Sequence, residues 1–149
     1  MALNPYEELI TFLVDEWDEQ NTSGFTPAFI RTVSQKTINF SQNPVWVMVG
    51  RMRKTTEEAG IGNTLKHVIF QGDLDVRVFG RNSEELYLEV TEEIERILDA
   101  KTKLFTDTDS EFHIIQNDGD RIELSGDTHD IFRCKQPVKL IKYSVQRGT

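Results

Sequence analysis

The sequence predicts an α+β domain: a mainly antiparallel sheet of about 4–6 strands with two amphipathic helices packed on one face, in the order α-β-β-β-α-β-β-β. Three observations predict it. Residues 5–19 and 82–98 carry apolar side chains at helical spacing with carboxylates on the other side. The stretches between and after them are rich in β-branched and aromatic residues or alternate with period two. Each helix has one apolar stripe, which the face of a sheet covers. With 149 residues, 38% of them hydrophobic, the chain suits a single domain over 1–149 that buries a core without disulfides or metal.

The first helix has a clear start: Asn4 as N-cap, Pro5 at the first helical position and Glu7 three residues after the cap. Tyr6, Leu9, Ile10, Leu13, Val14 and Trp17 form its apolar stripe, and Asn21-Thr-Ser-Gly24 ends it. Two β-rich runs follow, one near Phe29 to Val33 that can extend to Phe40, the other at Val45 to Val49. The second is apolar on both faces, which suits a central, covered strand. Gly50 to Thr64 shows mixed charge and no sustained period, so it reads as a loop of about 15 residues, a length at which loops tend to be functional.

From Leu65 to Phe79 the even positions Val68, Phe70, Leu74, Val76 and Val78 stay in phase across Gly72. Either one long strand bends at Gly72, or Gly72-Asp73 is a hairpin turn; the parity fits both. The second helix starts at Asn82 with Glu85 three residues on and buries Leu86, Val90, Ile94, Ile97 and Leu98. Its other face is Glu84, Glu85, Glu89, Glu92, Glu93 and Glu95. Phe112 to Leu124 reads as a hairpin turning at Asn117-Asp-Gly-Asp120, and a last strand, interrupted by Pro137, runs from about Ile131 to Val145.

Net charge is −8, from 17 basic and 25 acidic residues, which disfavours adhesion to nucleic acid through its phosphates. It points to solubility, or to a surface that repels polyanions. The lone Cys134 forms no internal bridge, so a reducing compartment is the expectation. MALNPYEELITFLVDEW lacks a basic flank and carries Glu7, Glu8, Asp15 and Glu16 among its apolar residues, so it reads neither as signal peptide nor as membrane span.

The search for chemistry gives no catalytic residue, metal site or cofactor. DVRVFGRNSEELYLEVTEEIERIL, Asp75 to Leu98, has the strand, glycine turn and helix of a phosphate cradle, but it lacks the further glycines of a dinucleotide fingerprint and the Gly-Lys-Ser/Thr of a P-loop. Glu84 and Glu85 occupy the positive end of its helix dipole and repel a phosphate. Asp107-Thr-Asp109-Ser-Glu111-Phe opens like a calcium loop, but Phe112 stands where glycine is needed and Asp118 where glutamate is needed. His67, His113 and His129 have no zinc spacing. Cys134, five residues after His129 and near Asp127 and Asp130, suits a small buried hydrophobe better than a nucleophile. Basic residues gather at Arg51, Arg53 and Lys54, and in an oligomer the carboxylates of the second helix have the charge to pair with them in a neighbouring copy.

An N-terminal amphipathic helix at 5–19, two or three strands, a long loop, the unit DVRVFGRNSEELYLEVTEEIERIL and a closing hairpin plus FRCKQPVKLIKYSV together resemble the tail terminator and tail-completion (neck) proteins of tailed bacteriophages and related archaeal viruses. The resemblance implies a non-enzymatic virion protein without cofactors. It implies a homo-oligomeric ring, commonly a hexamer, assembled in the host cytoplasm, that ends polymerisation of the tail tube and meets the head connector. DNA would pass through such a ring without specific binding, in keeping with the negative charge. The partner-facing residues expected on this reading are Arg51, Arg53, Lys54, Glu57, Glu58, Gly72 and Asp73. Two alternatives stay open: a cellular α+β domain that binds a small ligand or partner, and a small hydrolase built on His129, Cys134 or the aspartates Asp73, Asp75, Asp107, Asp109, Asp118, Asp120, Asp127 and Asp130.

Overall fold

The structure, a computed structural model, describes residues 4–31, 43–59, 65–80, 84–101, 112, 114–124 and 131–145. Among the described residues two helices, α1 (Pro5–Glu16) and α2 (Glu84–Lys101), accompany seven strands: β1 (Ala28–Arg31), β2 (Val45–Val49), β3 (Arg53–Ala59), β4 (Leu65–Phe79), β5 (Ile114–Asn117), β6 (Ile122–Glu123) and β7 (Ile131–Val145). The strands form one sheet along the path β1-β2-β4-β7-β5, with β3 also on β4 and β6 also on β7. Every pairing is antiparallel except β1 with β2. The class is the α+β arrangement expected, with seven strands where about 4–6 were anticipated.

Side-chain parity explains which face the helices cover. Val45, Val47 and Val49 of β2 register with Val78, Val76 and Leu74 of β4, which register in turn with Phe132, Cys134 and Gln136 of β7. Those residues except Gln136, with Phe70, Val138 and Leu140, pack with Leu9 and Leu13 of α1 and with Tyr87, Val90, Ile94, Ile97 and Leu98 of α2. Both helices therefore lie on one face, and each fully buried Leu, Ile or Val there contributes about 1.5–3 kcal/mol. All of β2 is buried, as expected of a covered strand.

The start of α1 is as expected: Asn4 Oδ1 accepts from the Glu7 backbone N–H at 3.2 Å, with Pro5 just inside. Its end differs. The helix stops at Glu16 because Trp17 turns extended, donates its indole N–H to Thr22 Oγ1 at 3.2 Å and packs edge-on against Phe29. A separate 3-10 turn follows at Glu19–Thr22, and Val14, expected in the stripe, is 49% exposed.

Glu93 corrects the outward assignment of the α2 carboxylates: it is buried. Its Oε2 accepts from the Asp18 backbone N–H at 2.7 Å, its Oε1 from Asn21 Nδ2 at 3.0 Å, and Arg96 bridges both oxygens at 2.6 and 2.8 Å. Arg96 also reaches the Glu16 carbonyl at 2.8 Å, a cation on the C-terminal end of α1. Burial pushes the Glu93 carboxyl up, but the bonds from Arg96, Asp18 and Asn21 outweigh it and hold the group below its ordinary range.

Two further expectations fail for one reason, that register over long distances overrides local pattern. The expected loop at 50–64 contains β3, whose residues pair with Leu65–Gln71 of β4; positions 60–64 lie outside the described residues. Of the two alternatives left at Gly72, the single long strand is the one found, since β4 runs through it without a break. The expected hairpin at 112–124 is not one: β5 and β6 pair with β7 in tandem, and the Asn-Asp-Gly-Asp stretch is an excursion between them. β7 itself continues through Pro137; the interruption falls on its neighbour, where Asp118 N–H donates to the Pro137 carbonyl at 3.0 Å. The Asn82 cap and any extension of β1 past Arg31 lie outside the described residues.

Candidate functional site

Strands β2 and β3 lie end to end on the same side of β4. Val49 is opposite Leu74 and Arg53 opposite Gln71, so Gly50, Arg51 and Met52 face only Gly72 and Asp73. Three residues against two make a β-bulge, the device by which a strand re-aims its side chains. Gly50 N–H holds it to the Asp73 carbonyl at 2.9 Å, and the Met52 N–H donates to the Tyr6 hydroxyl at 3.0 Å. Gly72 is required by close approach: a Cβ there would sit 2.9 Å from Met52 Cγ and 3.2 Å from the Arg51 carbonyl oxygen. The excursion between β5 and β6 stands opposite Gln136 and Pro137, the latter paired with Asp73, so both interruptions cross the sheet at one level.

At that level, on the face away from the helices, opens a cleft of about 330 Å³ lined by Gly50, Arg51, Asp73, Asp75, Arg77, Arg133 and Lys135. Strand alternation places Asp73, Asp75 and Arg77 of β4 beside Arg133 and Lys135 of β7. Asp75, 5% exposed, is the floor. Arg133 grips it with Nε to Oδ1 at 3.0 Å and Nη2 to Oδ2 at 2.8 Å, and Arg77 approaches the same oxygens at 3.4 and 3.3 Å. Burial alone raises the Asp75 carboxyl, but the hydrogen bonds and charges of the two arginines prevail and keep it below its usual range. Two arginines thus converge on one carboxylate, and Arg51 and Lys135 beside them form no ion pair among the described residues.

Beside the cleft, Arg53 Nη2 donates to Gln71 Oε1 at 3.2 Å, Gln71 Nε2 to Asp118 Oδ2 at 3.1 Å, and Lys139 lies 3.6 Å from Asp118 Oδ1. Of the residues expected to meet a partner, Arg51 and Asp73 line the cleft, Gly72 supports it and Arg53 adjoins it. Lys54 faces the helix side, over the Phe70 ring at 5.8 Å. Glu57 is exposed on β3, and the side chain of Glu58 lies outside the described residues. Arg77, Arg133 and Lys135 were not expected at a site, and Asp75 was expected only among the aspartates weighed as a metal site. Their alternation with apolar residues is visible, but that the two rows face each other follows only from the β4–β7 register.

The thiol offered as a nucleophile sits elsewhere, fully buried on the helix face. Burial, the largest influence, pushes the Cys134 thiol up to about 11, so at neutral pH it stays protonated. Next to it the Tyr87 hydroxyl donates to Glu123 Oε2 and its ring stacks on Phe132, while Arg121 pairs with Glu123 at 2.9 Å. His113, His129, Asp107, Asp109, Glu111, Asp127 and Asp130, and the side chain of His67, lie outside the described residues. Among the described residues no three His, Cys, Asp or Glu side chains converge as a metal site, and no helix is long and apolar enough to cross a membrane.

Fold and site together define an α+β protein with a charged cleft on the sheet face away from its described helices. No protein-family profile and no curated protein matches the chain.

Proposed function

We propose that the chain is the subunit of a virion ring at the head-proximal end of a viral tail tube, where it ends tube polymerisation and joins the tail to the head connector. The resemblance in element order and length motivates this reading, and the α+β class agrees with it. One structural observation carries it furthest. The paired strands β4 and β7 are 15 residues each, roughly 50 Å at the usual rise. The 18 residues of α2 span roughly 27 Å. Strands that outreach their helices, bordered by the charged strand β3, give a subunit shaped to reach a neighbour. The test adds the purified protein to polymerising viral tail-tube subunits. Capped tubes of arrested length support the reading; tubes that grow on unaffected overturn it.

The second reading, a domain that binds a small anionic ligand, is favoured by one observation: the cleft has about the volume of a ligand pocket and holds the cations Arg51 and Lys135. Titration calorimetry with small carboxylates and phosphates decides it. Micromolar binding abolished by Arg51→Ala supports this second reading; no heat at millimolar ligand removes it.

A further inference from the structure

Unpaired charges of opposite sign stand on opposite faces of the described sheet. On the helix side, α2 presents Glu85, Leu88, Glu92 and Asp99 along one exposed line at spacings of three, four and seven residues. Leu88 is 46% exposed there, and none of the three carboxylates has a hydrogen-bond or ion-pair partner among the described residues. On the opposite side of the sheet, the cleft carries Arg51, Arg77, Arg133 and Lys135 against Asp73 and Asp75. A chain of net charge −8 thus has one locally cationic face, with two of its cations unpaired.

We infer that the α2 ridge of one copy, Glu85, Leu88 and Glu92, seats on the cleft face of a second copy, with its carboxylates on Arg51 and Lys135. Ridge and cleft lie on opposite faces of one sheet, so a single copy cannot bring them together. Two ridges repel each other, as do two clefts, which disfavours a two-fold dimer through either face. What remains is a head-to-tail contact, the kind that closes into rings or runs on as filaments. This inference rests on the ring reading above and names the surfaces that would make the ring.

The test uses charge reversal in the full chain, with circular dichroism to confirm that each variant folds. Glu85→Lys with Glu92→Lys makes both faces cationic, and Arg51→Glu with Lys135→Glu makes both faces anionic. Light scattering should show that each variant alone associates only at protein concentrations at least about tenfold above those of the wild type. Mixed together, the two variants should associate with each other, and wild-type assemblies should weaken as salt rises. Wild-type rings that persist in both variants, or variants that dissociate without recovering on mixing, overturn the inference while leaving the ring reading standing. A wild-type chain that stays monomeric overturns both. If Arg51→Glu with Lys135→Glu instead removes binding of a labelled DNA duplex and leaves the mass distribution unchanged, the cleft is a polyanion site and the inference fails.

Discussion

Arg133 of β7 holds both carboxylate oxygens of Asp75 on β4, at 3.0 and 2.8 Å, diagonally across the longest strand pair in the sheet. The pair sits in the cleft and joins two strands at the level where the sheet is twice interrupted. Asp75→Asn keeps the shape but removes the charge that two arginines share. Because Arg77 and Arg133 are partly exposed, water recovers part of the loss, and the expected cost is about 1–3 kcal/mol. Urea denaturation at neutral pH measures it.

Gly72→Ala tests the bulge. The backbone at Gly72 is not in the left-handed region, so the substitution is strained only by Met52 and the Arg51 carbonyl. A loss of about 1–3 kcal/mol is expected. Met52→Ala in the same chain removes the nearer clash, so the double variant should fall short of the summed single losses. Additive losses would show that the two residues do not meet.

Glu93 and Asp75 make stability depend on acid. Both carboxyls titrate below their ordinary values when folded, so the stability they contribute is present at neutral pH. It declines as pH falls below about 4.5, the ordinary value for Glu93, and continues to decline through the lowered folded values. Glu93→Gln should cost about 2–3 kcal/mol at pH 7, by loosening the 3-10 turn from α2, and less at acid pH. Urea midpoints measured at pH 7 and pH 3.5 check both; an equal cost at the two values would exclude an ionised Glu93.

Cys134 should resist thiol reagents in the native protein. Its thiol is fully buried and pushed up to about 11, so labelling at pH 8 should proceed at the rate of opening or unfolding and accelerate in denaturant. Immediate labelling would restore the nucleophile reading.

Much of this fold is legible in the sequence. The Asn4 cap, the covered strand at Val45–Val49 and the even parity of β4 each depend on near neighbours or on burial of both faces, and each is found in place. The strand β3 was not legible because Arg53, Lys54, Glu57 and Glu58 leave it no apolar alternation; Thr55 and Thr56 were its only local sign. The stretch Asn117 to Asp120 misled for a different reason. Asn117 Oδ1 accepts from Gly119 N–H at 3.0 Å and Gly119 adopts φ 141°, features that serve a hairpin and an excursion equally well. Only pairing with β7 decides between them. Glu93 looks like its neighbours on α2 until Asp18 and Asn21 arrive from 72 or more residues away.

The cleft was half legible. Arg51 and Asp73 stand out as charges beside glycines, whereas Arg133 and Lys135 enter it through a register spanning β4 and β7.

Native mass spectrometry of the purified full chain, paired with negative-stain electron microscopy of the same sample, tests the ring reading most directly. The expected result is one closed assembly at an integral multiple of the protomer mass, seen end-on as an annulus with an open centre. A monomer at every concentration examined, or a two-fold dimer with no annular views, would contradict it.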